Sequence, residues 1–76
     1  MKEFIEHVAR ILVDKPKEVK VTETVGESTI IFGLKVGEGD LGKIIGKHGQ
    51  TAMSLRMLLT AISAKQGKRS VLEILE

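Results

Sequence analysis

Apolar residues change their spacing three times within 76 residues, which confines the chain to a short alternation of helices and strands. Residues 3 to 14 set Phe4, Ile5, Val8, Ile11 and Leu12 at helical intervals, and Pro16, after Asp14-Lys15, closes that pattern. From Val19 the period becomes two. Val19, Val21, Glu23 and Val25 share one face, and Gly26-Glu27-Ser28 supplies a turn. A second alternating run puts Ile30, Phe32, Leu34 and Val36 on one side and Ile31, Gly33 and Lys35 on the other, so the spacing predicts a hairpin with its apolar face against helices. Gly37-Glu38-Gly39 ends that strand, and Asp40 is the expected cap of a short helix over Leu41 to Ile45. Ala52, Leu55, Leu58, Leu59 and Ile62 then return to helical spacing, predicting a helix over Thr51 to Lys65 that stops at Gln66-Gly67. Arg69 to Leu75 is short and aliphatic, the pattern of a third strand. The order is helix, strand, strand, helix, helix, strand, without a linker or an internal repeat.

Length and composition remove several function classes. A chain this short is one domain, buries only about 60% of its unfolded surface and has no room for a spacious active-site cleft. No apolar run reaches the 18 residues of a membrane span. Met1-Lys2-Glu3-Phe4 leads directly into a charged amphipathic segment, so no secretory leader is expected and the cytoplasm is the expected location. With no cysteine and only His7 and His48 far apart, neither disulfides nor a metal site is expected, and no cofactor is implied.

The distribution of charge is more informative than its sum. Residues 1–40 carry six Lys/Arg against eight Asp/Glu, whereas residues 41–76 carry six against two, and no acid lies between Leu41 and Leu72. That asymmetry points to a polyanionic partner for the second half, with a merely solvated helix face as the plainer reading.

Within the basic half, Gly42-Lys43-Ile44-Ile45-Gly46-Lys47-His48-Gly49 sets glycines around basic residues between two helical patterns. Glycine permits backbone angles closed to other residues and lets a second backbone come near, so such a loop suits phosphate. Two nucleotide-binding patterns overlap it and fail. Gly37-Glu38-Gly39-Asp40-Leu41-Gly42 fits GxGxxG, but the chain is too small for that fold and has no acid about 20 residues on for a ribose hydroxyl. The near match to a GxxxxGK[ST] loop has Ile44 where a magnesium-binding hydroxyl is needed. Ser28, Ser54, Ser63 and Ser70 have no base and acid arranged around them, so no enzyme is expected.

Ile45-Gly46-Lys47-His48-Gly49, set between two helices and followed by helix and strand, resembles the GxxG loop of a KH domain. The element order resembles the type II KH fold, and a chain of this size resembles the KhpA family of small bacterial single-KH proteins. The resemblance implies an α+β domain over residues 1–76, with a three-stranded mixed sheet packed on one side by three helices. It also implies that the loop clamps the backbone of about four unpaired nucleotides and directs their bases into an adjacent groove. By that resemblance Lys43, Ile45, Gly46, Lys47, His48, Gly49 and Gln50 form the RNA contact. The groove would run between the loop-flanking helices and the second strand, with Gln66-Gly67-Lys68-Arg69 as its variable loop. Arg56 and Lys65 would extend the positive track. Two departures stand out: Thr51 and Ala52 replace a bulky aliphatic start to the helix, and Gln50 stands where many KhpA-like chains carry arginine.

Further expectations concern partners. Phe4 and Phe32, the only aromatic residues, both fall at core-like positions, so ring stacking is not expected to hold bases. Gly33 marks either a close backbone or ligand approach or a small residue beneath a helix. Met53 and Met57, off the main apolar stripe, are expected to pack on the short helix, or else to form an interaction surface. The resemblance implies a role as RNA chaperone or post-transcriptional regulator and a dimer, with itself or with a larger KH-containing protein, and no membrane or small-molecule substrate. The competing reading is a protein-interaction module on a KH frame that binds no RNA.

Overall fold

Strand β2 (Thr29–Lys35) organises the molecule because it alone is hydrogen-bonded along both edges. In the computed structural model, which describes residues 1–76, it pairs antiparallel with β1 (Lys20–Val25) and parallel with β3 (Arg69–Leu75). A parallel pairing needs a long crossover, and here α2 (Leu41–Ile45) and α3 (Gln50–Lys65) provide it. The registers Phe32↔Leu72 and Val21↔Leu34 bring one face of all three strands together. On it Ile30, Phe32, Leu34 and Val36 are at most 2% exposed, covered by α1 (Lys2–Leu12), α2 and α3. The architecture is the α+β arrangement of a KH fold, with element order α-β-β-α-α-β.

Hairpin and strand boundaries agree with the period-two runs. Gly26 N–H donates to Thr29 C=O at 2.8 Å to close the turn, and β3 covers Arg69–Leu75 as the spacing predicts. Pro16 does stop α1, and it then opens a single 3-10 turn over Pro16–Glu18.

The helical stripes are narrower than the spacing suggests. In α1 the buried residues are Ile5 and Ala9, continued by Val13, at intervals of four; Phe4 and Ile11 stand 40% and 69% exposed. In α3 the buried line is Ala52, Leu55, Leu59 and Ser63, while Leu58 and Ile62 lie outside it. Ala9, Ala52 and Ser63 share these lines with Ile5, Leu55 and Leu59, because a helix resting on a sheet buries only the line that meets it, and large and small side chains interdigitate there. Met53 and Met57, expected against the short helix, are instead 58% and 66% exposed. The short α2 docks against the buried line of α3, on the other side of that helix.

Asp40 also departs from expectation. It occupies the N-cap position of α2 but its carboxylate makes no capping bond. Instead, at 2% exposure, it accepts the N–H groups of Asp14 at 3.2 Å and Lys15 at 3.0 Å. The residue that opens α2 thereby ties it to the segment leaving α1. Gly33 belongs to the helix-free face, where a Cβ would come within 2.7 Å of Thr22 Oγ1 on β1, so the side chain of the neighbouring strand, not a helix above it, crowds the position.

Candidate nucleic-acid interface

Between Ile45 and Gln50 the chain turns through a left-handed path. Gly46 has φ 77° and ψ 175°, a region closed in practice to any other residue. His48 at φ 57° and Gly49 at φ 73° follow in the left-handed helical region. At Gly46 the steric argument is independent of the dihedral one, since an added Cβ would sit 2.6 Å from Thr51 Cβ. This bears on the first of the two departures, at Thr51 and Ala52. Thr51 fills the space against Gly46, and Ala52, 4% exposed, lets α2 and α3 come together.

The side chains of the loop point outward. Lys47 and His48 are exposed and have no hydrogen bond or ion pair within the chain. Ile44 turns into the core at 1% exposure, and Ile45 remains 39% exposed beside the loop. Gly49, the N-cap of α3, contributes no side-chain cap, so beyond Gln50, whose N–H donates to Lys47 C=O, the opening amides of a four-turn helix have no side-chain acceptor. Free amides, the positive end of the helix dipole and two unpaired basic side chains therefore converge on one exposed turn, an arrangement that favours an oxyanion such as phosphate.

A cleft of about 270 Å³ runs beside α3, lined by Arg56, Leu59 and Thr60 of that helix and Ser70, Val71 and Leu72 of β3. Its strand wall is β3 and not the second strand, because β2 is central and its helix-side residues are sealed. The outer edge of β3 is unpaired by any strand. Leu75 C=O turns toward β2, where it accepts Val36 N–H at 3.0 Å, so by alternation Ser70, Leu72 and Ile74 direct their backbone groups outward. Arg56 Nη2 reaches one of these, donating to Leu72 C=O at 3.3 Å. Ser70 and Thr60 were not among the expected groove residues; the only signal for Ser70 was a polar residue on the inward parity of an otherwise aliphatic strand.

The expected basic residues do not all meet. Lys43, Ile45, Gly46, Lys47, His48, Gly49 and Gln50 form one surface, and Arg56 lies about 9 Å further along the α3 axis. Lys43 is engaged with Asp14, Nζ to Oδ2 at 3.4 Å. Lys68 and Arg69 are at the other end of α3, about 24 Å from the loop. Lys68 donates to Gly26 C=O at 3.0 Å, and Arg69, paired with Thr29, shares the parity of the helix-free face. Lys65 is exposed near that same end. Phe4, corrected from a core position to 40% exposure, lies on α1, which packs on β1 and α2 and away from the cleft.

A larger depression of about 520 Å³ lies at the opposite end of the sheet from the variable loop. Lys17, Lys20 and Lys35 alternate there with Glu18, Glu38 and Glu76, so it offers a polyanion no net attraction. No cluster of side chains is arranged to hold a metal ion, and no helix is long and apolar enough to cross a membrane.

Comparison with known proteins agrees with this geometry. A family model described as "KhpA/KhpB, KH domain" matches residues 2–74. A protein of Aquifex aeolicus named RNA-binding protein KhpA is 51% identical over 76 residues, covering 100% of this chain and 96% of the relative. Proteins of the same name from Chlamydia trachomatis and Clostridium perfringens are 46% and 47% identical, covering 100% and 99% of this chain and 97% and 100% of the relatives. No solved structure matches the chain at a significant level. The family is not one of enzymes. With the GxxG turn, the fold and full-length relatives in agreement, this chain belongs to the KhpA/KhpB family of KH domains.

Proposed function

We propose that this protein binds short single-stranded RNA, with the turn from Gly46 to Gly49 clamping the sugar-phosphate backbone. The observation that carries the reading is the loop itself: Lys47 and His48 are exposed and unpaired beside the uncapped start of α3. Relatives named as RNA-binding proteins support the choice of ligand. Gly46 brings a strand close, the free amides and Lys47 meet phosphate, and bases pass along Ile45 toward the cleft between α3 and β3. A ligand taken up only when unpaired shifts RNA folding by mass action, the physical basis for action as an RNA chaperone or post-transcriptional regulator in the cytoplasm.

A second part of the proposal is pairing. One clamp of about four nucleotides gives modest affinity, and linking two multiplies it. Met53, Met57, Leu58 and Ile62, all at least 36% exposed, form an apolar strip on α3 suited to a second copy or to another KH-containing chain. The same strip favours the alternative of a protein-interaction module.

Replacing Lys47 and His48 with Asp separates the readings. The variant is expected to stay folded by circular dichroism and to lose at least about tenfold in affinity for an unstructured oligoribonucleotide, since the Lys47 charge and the His48 hydrogen-bonding side chain are both replaced by repulsive carboxylates. Equal binding by parent and variant would remove the loop from the interface. RNA affinity that is flat with salt would favour the protein-only role.

A further inference from the structure

We propose that Asp14 sets the strength of RNA binding by holding Lys43 away from phosphate; the inference rests on the RNA-binding reading above. Lys43, three residues before Gly46, is the only cation of residues 41–76 in an ion pair, and its partner comes from the other half of the chain. The sequence leaves the loop segment free of acids, and the fold brings one back to it. An incoming phosphate at Lys43 meets a carboxylate already in place, and must displace it or bear its repulsion.

The pair is built, not a chance meeting of two long side chains. Asp40 fixes the backbone of both partners: its carboxylate accepts the Asp14 N–H at 3.2 Å, and its carbonyl accepts the Lys43 N–H at 3.0 Å. Asp40 is 2% exposed, and its second carboxylate oxygen accepts Lys15 N–H at 3.0 Å, so the bracket is anchored in the interior. With both backbones held, little chain entropy opposes the contact. The charged ends themselves are wet, Asp14 at 76% and Lys43 at 44% side-chain exposure. Water keeps such a pair weak, so a polyanion competes for Lys43 successfully but at reduced affinity. The buried residue gives position and the exposed pair gives a brake of limited strength.

The experiment is a double-mutant cycle on binding to a short, labelled, unstructured oligoribonucleotide, repeated over a range of salt. Asp14→Asn retains the N–H that Asp40 holds and is expected to melt close to the parent temperature. It is expected to bind RNA about two- to five-fold more tightly, the span set by an exposed ion pair. Its logarithmic salt slope should steepen by about 0.7, one added phosphate contact on a single strand. Lys43→Gln is expected to weaken binding, and Asp14→Asn added to Lys43→Gln should restore almost nothing. An Asp14→Asn variant that binds no tighter than the parent overturns the proposal, as does an equal gain in the Lys43→Gln background, which would make Asp14 a diffuse charge without a specific partner. A parent that shows no RNA binding sinks both this inference and the reading beneath it. A parent that binds through Lys47 and His48 while Asp14→Asn gains nothing sinks only this one.

Discussion

Helix α3 ends in a glycine turn flanked by basic residues on both sides, and the two turns differ in what they leave undone. At the C-terminus, Lys68 N–H donates to Ser63 C=O and Gly67 N–H to Ala64 C=O, both at 3.0 Å, with Gly67 at φ 71°. This Schellman arrangement satisfies the carbonyls of Ser63 and Ala64, and Lys68 then secures the hairpin turn. At the N-terminus, Gly46 N–H closes α2 on Gly42 C=O at 2.9 Å and Gly49 N–H donates to Gly46 C=O at 3.1 Å, but no side chain caps α3, and the side chains of Lys47 and His48 bind nothing within the molecule. The first turn uses its lysine side chain within the protein; the second leaves its side-chain donors to spare. Glycine beside lysine is therefore not in itself a phosphate site, and the hydrogen-bond accounting distinguishes the two.

Substitutions at the two ends test that contrast. The largest effect is expected from Gly46→Ala, where a forbidden backbone region and collision with Thr51 act together, costing about 3 kcal/mol or more in urea unfolding. A domain of this size holds only about 4 to 11 kcal/mol, so the variant should keep about 1 to 8 kcal/mol and melt well below the parent. A loss below 1 kcal/mol would mean that the loop rearranges freely. Gly67→Ala meets no atom within 4 Å and violates the dihedral preference alone, so its cost is expected near 1 kcal/mol, with RNA affinity unchanged. A fall in affinity there would bring the C-terminal turn into the interface.

Ser63 sharpens the comparison. Its hydroxyl is buried without a partner while its carbonyl serves the cap twice, so Ser63→Ala is expected to raise stability by up to about 1 kcal/mol. A destabilised variant would show that the hydroxyl has a partner. The smallest shift belongs to His48→Gly. Relief of a left-handed side chain, about 1 kcal/mol, is nearly offset by the greater unfolded entropy of glycine, so melting should hardly move. RNA affinity should nevertheless fall by a few fold as a polar contact disappears, and unaltered affinity would assign His48 to the turn only.

Much of this was legible in the chain. The order of elements followed from apolar period, because alternation and helical spacing are properties of neighbours. The end of α3 at Gln66-Gly67 was readable for the same reason, since a C-cap is a local hydrogen-bond problem. The residues of the loop were readable as a motif, and the structure makes one surface of them.

Asp40 shows where that legibility ends. In sequence it is a helix cap; in the fold its carboxylate is used by amides 25 and 26 residues away. Lys43, free by sequence, meets Asp14, and Lys68, near the loop in kind, lies a helix-length from it. The choice of β3 as the cleft's strand wall, and of Ala9 and Ser63 over Ile11 and Leu58 for burial, depends on which line of each helix meets the sheet.

The sequence by itself determined the elements, their order and the chemistry of the GxxG turn, all of which depend on residues within a few positions of one another. Only the tertiary structure decided which charges are neutralised, which apolar residues stay outside and which strand edge faces α3. Those outcomes depend on contacts between residues far apart in the chain, whose distances no local pattern encodes.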